Sequence, residues 1–342
     1  MGPYRSVARP LLFALPPEAA HRVAQRMLGL PLPWGRIGGA IRDDALAVTL
    51  AGIELQNPVG LAAGFDKTGR HLDALGRLGF GYVIGGTFTD GPRSGNPKPR
   101  IVRIPERSSM VNAMGLPNPG AEAAARTLEK VPRTSPRFAS IADQSVDEVL
   151  RTHALLEAHV DAVELNVSCP NVSWGRDRDN EAHLGDLLRE LGARRAKPLF
   201  VKLPPFRSDV EREVVLALAA IAQSAGAEAL TCSNTQLVLE PRLSTGAGGL
   251  SGRDVFEGTL QNVAEVHRAT GGELPVNASG GVFSAADAMA CIEAGATTVQ
   301  VYSGLIYRGP RIVRELTGGL AESLRSRGLS VPAVVGTAQP AA

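Results

Sequence analysis

The densest chemistry in the sequence lies in residues 164–171, ELNVSCPN. Cys169 stands between Ser168 and Pro170, with Asn166 and Asn171 close by. A thiol at the exit of a strand acts as a base once it loses its proton, and nearby cations lower the pKa at which it does so. Asn side chains carry both a donor and an acceptor, which suits a ligand bearing amide or imide groups. The plainer alternative is a small buried hydrophobe, the usual state of a cysteine. The proline and the two asparagines favour the chemical role. Lys202, in VKLPP, ends another apolar run. A buried lysine requires a partner or a depressed pKa. It either pairs with a carboxylate such as Glu164 or faces a ligand on which negative charge develops. Lys67, Thr87 and the run Ser233-Asn234-Thr235 also follow apolar stretches. Two further stretches, VNASGG (276–281) and VYSG (301–304), offer small residues and free backbone N–H groups of the kind that hold a phosphate, such as that of FMN.

These residues need a scaffold that brings them together. Eight short apolar runs end in glycine or polar residues: 58–65, 81–89, 137–143, 162–171, 198–205, 228–235, 275–281 and 298–304. Helix-like stretches separate most of them, among them 71–79, 146–160, 209–226 and 285–296. Strand alternating with helix eight times predicts a parallel (β/α)8 TIM barrel over 41–342. A doubly wound sheet is the second choice, disfavoured by the count of eight and by the lack of an early GxGxxG. In a barrel the active residues sit at the carboxyl ends of the strands, which is where these polar groups fall. Residues 47–56 read as a hairpin about an Ala-Gly turn. Residues 90–136 form a long insertion, lacking an obvious helical period, that reads as a lid or binding loop. Asn112 lies inside it.

The first forty residues differ from the rest. Two short amphipathic helices are expected, one through Tyr4–Leu15 and one beginning at 16–18, followed by a Pro/Gly-rich linker at 28–39. Such helices either cap a barrel or lie on a membrane surface with arginines towards anionic headgroups. Periodicity alone favours the cap.

Composition narrows the classes. The chain has 342 residues, 36 basic and 34 acidic, a net +2 that gives no electrostatic footprint for nucleic acid. Hydrophobic residues at 44% exclude a disordered chain. Three scattered cysteines fit neither a disulfide framework nor a Cys-rich metal site, and no metal is expected. The longest apolar run, 214–222, is far short of the ~20 residues of a membrane span. The N-terminal apolar stretch is broken by Pro16 and Pro17, unlike a secretory signal. An intracellular protein is the expectation.

Taken together, LAAGFDKTG, GNPKPRIVRI, NVSCPN, VKLPP, SNT, GGLSGR, SGG and VQVYSGLIYRGP resemble, in order and spacing, the dihydroorotate dehydrogenases, in particular the membrane-associated, quinone-dependent class. LPPEAAH (15–21) resembles the helical extension of that class. The resemblance implies FMN contacts at Ala63, Gly64, Lys67, Thr87, Asn166, Lys202, Ser233, Gly252, Gly281, Tyr302 and Ser303. Ser140 stands where the family has an Asn flavin contact. Substrate would be held by Lys67, Asn112, Asn166, Asn171, Asn234 and Thr235, with Cys169 in the base position. The implied reaction oxidises dihydroorotate to orotate in pyrimidine biosynthesis: a base takes the C5 proton and hydride leaves C6 for the flavin. Electrons would pass to a quinone entering between the two N-terminal helices, near His21 and Arg103. The resemblance thus reverses the preference for a plain cap: residues 1–40 become the quinone- and membrane-facing segment of a peripheral protein on the cytoplasmic side of a membrane.

The sequence departs from the family pattern in places. Cys at 169 is typical of the soluble class, whereas the quinone-dependent class usually carries Ser. A stretch resembling NIGKN is here Ser140-Ile141-Ala142-Asp143-Gln144, which puts Asp143 in place of a Lys. Leu116 replaces an aromatic residue, and Gln236 replaces a second Thr after Thr235. Two other readings stay open. One is an FMN oxidoreductase of the same fold acting on another dihydro or unsaturated ring; the other is a phosphate-binding barrel without redox chemistry.

Overall fold

Short Val-, Ile- and Leu-rich runs with few charges are what a sheet covered on both faces requires. Eight of them pair in parallel and close into a barrel: β1 Val59–Asp66, β2 Tyr82–Phe88, β3 Arg137–Ile141, β4 Ala162–Asn166, β5 Leu199–Lys202, β6 Ala229–Cys232, β7 Val276–Ser279 and β8 Thr298–Val301. All eight stand where the sequence places them. The computed structural model describes residues 2–168 and 179–338. Every residue of β2, β3, β4, β5, β6 and β8 is buried. The helices after β3, β5 and β7 each begin with a reciprocal cap in which Ser145, Ser208 or Ser284 bonds the third helical N–H and an acidic residue reaches back.

The barrel interior is filled, not hollow. Tyr82 stacks on Phe138 at 4.7 Å, and Phe138 meets Phe200 edge-on at 5.3 Å. Gly60 makes room for this stack, since a Cβ there would lie 2.2 Å from the Tyr82 ring. A chain of hydrogen bonds crosses beside it. Tyr82 Oη lies 2.8 Å from Thr298 Oγ1, Thr298 donates to Asn277 Oδ1 (2.6 Å), Asn277 donates to Thr231 Oγ1 (3.3 Å), and Thr231 donates to Glu164 Oε2 (2.8 Å). The hairpin of Val48–Leu50 and Ile53–Leu55 turns through Ala51 and Gly52, both at positive φ, as expected of a two-residue turn.

The insertion corrects one expectation. Residues 90–136 contain a hairpin, Ile101–Ile104 with Ser109–Asn112, and a helix, Ala121–Lys130. The helix buries Ala121, Ala124 and Leu128, an i, i+3, i+7 stripe that the Pro- and Gly-rich flanks obscured. A second pair of strands, Gln236–Leu239 and Ala247–Gly252, was not read from the sequence at all. It joins the hairpin in a four-stranded antiparallel sheet, 236–239, 247–252, 109–112, 101–104.

The N-terminal segment forms a wide π-helical turn, Tyr4–Ala8, running into α1 (Arg9–Ala14) and then α2 (Pro17–Leu28). Pro17 opens α2 with Glu18 in its first turn, both suited to a helix start. None of these three pieces has a fully buried residue. The segment expected to be a linker holds a short helix, Trp34–Ile37, whose Trp34 is buried. Side chains fasten the extension to the barrel. Tyr4 Oη donates to the Ile306 carbonyl (2.6 Å), Arg9 donates to that of Tyr307 (3.1 Å), and Phe13 meets the Tyr307 ring edge-on at 5.3 Å. Among the described residues no helix is long and apolar enough to cross a membrane.

Candidate active site

The strand ends open into one cavity of about 1610 Å³. It runs from the carboxyl ends of the barrel strands to the inner faces of α1 and α2. At the end of β1, buried Asp66 gathers the following turn: its carboxylate accepts from Thr68 N, Thr68 Oγ1, Gly69 N and His71 N. That knot fixes the turn carrying Lys67. The Lys67 ammonium and the Tyr302 hydroxyl both donate to the Gly64 carbonyl, the latter at 3.2 Å. Ala63, Gly64, Lys67 and Tyr302 thus share one wall of the cavity.

Across from them, β4 and β6 converge on Ser168. Asn166 Oδ1 accepts from the Ser168 amide (3.2 Å) and hydroxyl (2.6 Å), and Asn234 Nδ2 donates to Ser168 Oγ at 2.7 Å. The Thr235 amide donates to Asn234 Oδ1 (2.8 Å). Two of the expected ligand-holding asparagines are therefore tied to the residue preceding Cys169. Cys169 and Asn171 lie outside the described residues. The other two cysteines are sealed in apolar surroundings, and burial pushes both thiols up to about 12.

Lys202 ends β5 buried against the cavity, and it makes no ion pair with Glu164. One oxygen of that carboxylate accepts instead from Thr231, 2.8 Å away. The salt-bridge alternative for Lys202 is thus not what the structure adopts. Asn112 ends its hairpin strand on the cavity wall, 3.4 Å from the Gly249 carbonyl. Ser233, Gly252, Gly281 and Ser303 line the cavity where the loops after β6, β7 and β8 meet, with Ser303 Oγ 3.2 Å from Ser251 Oγ. Thr87 also lines it, but Ser140 does not: Ser140 is fully buried, with its hydroxyl 3.0 Å from Thr87 Oγ1. It stands behind Thr87.

The sequence did not announce the roles of some residues. Asp143 is buried and turned to the loop after β2, where it pairs with Arg93 (3.0 Å) and accepts from the Asp90 amide (2.8 Å) and the Thr152 hydroxyl (3.2 Å). Burial raises its pKa, and the Asp90 amide and Arg93 oppose the rise. Arg93 reaches the cavity. Asn118 is buried between the same loop and the Ala121–Lys130 helix, joining Thr89 Oγ1 (2.8 Å) to the Gly120 amide (2.9 Å). The pairing of Arg93 with Asp143 spans 50 residues, and no local spacing announces it.

At the other end of the cavity stand His21 and Arg103. His21 faces Phe65 edge-on at 5.5 Å, and its Nε2 is buried without a partner. Burial first, and then the charge of Lys67, hold its pKa down to about 4. Arg103 donates to the Leu12 carbonyl (3.3 Å) and to that of Leu15, closing the end of α1, and lies 4.6 Å over the Phe13 ring. Glu18 of α2 pairs at 2.8 Å with Arg100, the residue just before the hairpin strand Ile101–Ile104. Burial opposes its ionisation, but Arg100 and Lys98 outweigh that and hold its carboxyl below the usual range.

Fold and site together define an α/β-barrel enzyme that gathers its ligands over the carboxyl ends of its strands. The chain belongs to the dihydroorotate dehydrogenase family, whose model matches residues 45–324. It is 36% identical over 331 residues to a dihydroorotate dehydrogenase (quinone) of Aromatoleum aromaticum, covering 91% of this chain and 93% of that protein. Against the dihydroorotate dehydrogenase (quinone) of Pseudomonas paraeruginosa it is 37% identical over 343 residues, covering 92% and 98%. The ligand-free crystal structure of the Eimeria tenella enzyme superposes with a TM-score of 0.82 at 28% identity, over 95% of this chain and 100% of that one. The same enzyme in complex with ferulenol gives 0.81 at 26%, over 96% and 99%.

Proposed function

We propose that the chain oxidises dihydroorotate to orotate in pyrimidine biosynthesis, with FMN as its resident cofactor, and delivers the electrons to a quinone. The observation that carries this reading is the continuity of the cavity: one space joins the asparagine-lined strand ends to His21, Arg103 and the inner faces of α1 and α2. A site for a single reaction has no use for the second half.

The residues fit FMN. Where the loops after β6, β7 and β8 converge, the backbone is packed too closely for side chains. A Cβ at Gly252 would lie 2.4 Å from the Ser108 carbonyl, and one at Gly281 would lie 2.7 Å from Phe256. Bare N–H groups in such a place suit a phosphate. When bound, FMN supplies a two-electron acceptor. Ala63, Gly64, Lys67, Thr87, Asn166, Lys202, Ser233, Gly252, Gly281, Tyr302 and Ser303 would hold it, with Ser140 supporting Thr87.

The chain's own groups do the rest. Lys67, Asn112, Asn166, Asn171, Asn234 and Thr235 orient the substrate ring through amide donors and acceptors and one positive charge. Cys169 takes the C5 proton. Lys202, buried at the end of β5, brings a further positive charge to the strand ends, where burial strengthens its effect. His21, neutral at physiological pH, and Arg103 flank the quinone. Residues 1–40 form the quinone- and membrane-facing extension, peripheral on the cytoplasmic side, and 41–342 form the FMN-binding barrel.

The test is spectroscopic. The purified protein should be yellow, lose its flavin absorbance on anaerobic addition of dihydroorotate, and regain it on addition of a soluble quinone. A flavin left oxidised by dihydroorotate overturns the reading.

A further inference from the structure

We propose that a second cavity, on the opposite side of the Tyr4–Ala8 turn, receives the phosphate headgroup of an anionic phospholipid. This rests on the peripheral membrane contact proposed above. The cavity has a volume of about 480 Å³. Tyr4 and Ala8 line both cavities, so the turn is the wall between them. Tyr4 is fixed there: its ring lies so close to Gly309 that a Cβ at 309 would be 2.2 Å from it, and its hydroxyl is bonded to Ile306.

Charge selects the ligand. Three arginines, Arg5, Arg308 and Arg311, line the recess together with one acidic residue, Glu315. Glu315 is shared between Arg5 (3.7 Å) and Arg308. Three positive charges and one negative leave two positive. Arg311 is exposed and makes no ion pair among the described residues. The rest of the lining is largely apolar, with Pro3, Val7, Ile37 and Pro310. An inorganic phosphate is polar on every side, and the arginines would leave its remaining oxygens against an apolar floor. A phospholipid does not: its phosphate meets the arginines while its glycerol end lies on the apolar residues. The same stretch carries the matching anchor. Val7 and Leu11, four residues apart on one face, are 59% and 67% exposed, and Leu15 follows at 38%. Val7 lines the recess, while Leu11 and Leu15 line the larger cavity across the turn; exposed apolar residues next to arginines on one short segment suit the interface of an anionic bilayer.

The experiment uses the full-length, flavin-loaded protein. Sedimentation is measured with vesicles of phosphatidylcholine and with vesicles that also contain phosphatidylglycerol, for variants of equal flavin content and melting temperature. Two net charges near an anionic surface should tighten binding to the anionic vesicles roughly 30-fold. Arg5→Gln with Arg311→Gln should lose most of that gain. Arg26→Gln with Arg36→Gln removes the same charge from exposed residues outside both cavities and should keep most of it. Glu315→Gln should enlarge it. Equal losses from the two arginine pairs would overturn the site in favour of diffuse charge. Equal binding to both vesicles would overturn the headgroup assignment and leave the membrane contact standing, whereas binding to neither would overturn the membrane contact itself. Inorganic phosphate should compete no better than sodium chloride at equal ionic strength; stronger competition would contradict a lipid ligand.

Discussion

The barrel and the N-terminal extension are held together by different physics. In the barrel, most strands are buried along their whole length, every strand is paired on both sides, and the interior is filled by an aromatic stack and a chain of hydrogen bonds. In the extension no residue from Tyr4 to Leu28 is fully buried, and the attachment rests on side chains reaching backbone carbonyls, two edge-on rings and the Glu18–Arg100 pair. A segment with so few buried contacts belongs to the low-stability end of a protein. The two regions face one cavity, so one wall is rigid and the other is docked. Rigid walls suit the positioning of a substrate ring; a docked wall suits the admission of a long apolar electron acceptor from a membrane.

The contrast is open to attack, most strongly at the rigid side. Cys169→Ala should slow anaerobic flavin reduction by dihydroorotate by about 10²–10⁴ while flavin stays bound, since that is the usual worth of a positioned base. Cys169→Ser should keep more of the rate, and an unchanged rate in the alanine variant would remove the thiol from the chemistry. Packing comes next. Gly60→Ala drives a methyl group into the Tyr82 ring, which its stack on Phe138 holds in place. A loss of about 1–3 kcal/mol in urea unfolding is expected, and a neutral result would show the interior to be looser than described. Arg103→Leu removes the two bonds that close α1 and the contact with Phe13. Quinone reoxidation should fall several-fold in stopped flow with the reduction step unchanged; equal effects on both steps would erase the distinction between the walls.

The smallest expected effect concerns pH. Docked, His21 is held at about 4, against an ordinary 6.5. Between these values a released His21 binds a proton that the docked one does not, so docking weakens as pH falls from about 6.5 to 4 and levels off below that. Limited proteolysis within residues 1–30 should speed up over that window, and His21→Phe should flatten the response. Protection that does not change with pH would place His21 in water.

What the sequence showed and what it hid divide along the same line. The eight barrel strands were legible because parallel strands covered on both faces read as unbroken apolar runs, and their exits were marked by Lys67, Thr87, Asn166, Lys202 and Ser233. The four-stranded sheet over the cavity was not legible. Its strands are short, rich in glycine at 247–252, and paired between segments more than 120 residues apart. The departure at Asp143 looked like a lost cation; in the folded chain its carboxylate holds Arg93, a cation at the cavity wall drawn from a distant loop. The amphipathic helices were legible as helices, but periodicity has no means of telling a docked cap from a cavity wall. Trp34 shows the limit again, a buried anchor inside a stretch whose prolines and glycines read as linker.

Removal of residues 1–30, which keeps Trp34 in its pocket, tests the central claim most directly. Flavin reduction by dihydroorotate and reoxidation by a soluble quinone are then timed separately against the full chain. The account predicts that reduction is retained while reoxidation drops sharply. Reoxidation at the full-length rate, or loss of both steps together in a chain that still binds flavin, would contradict it.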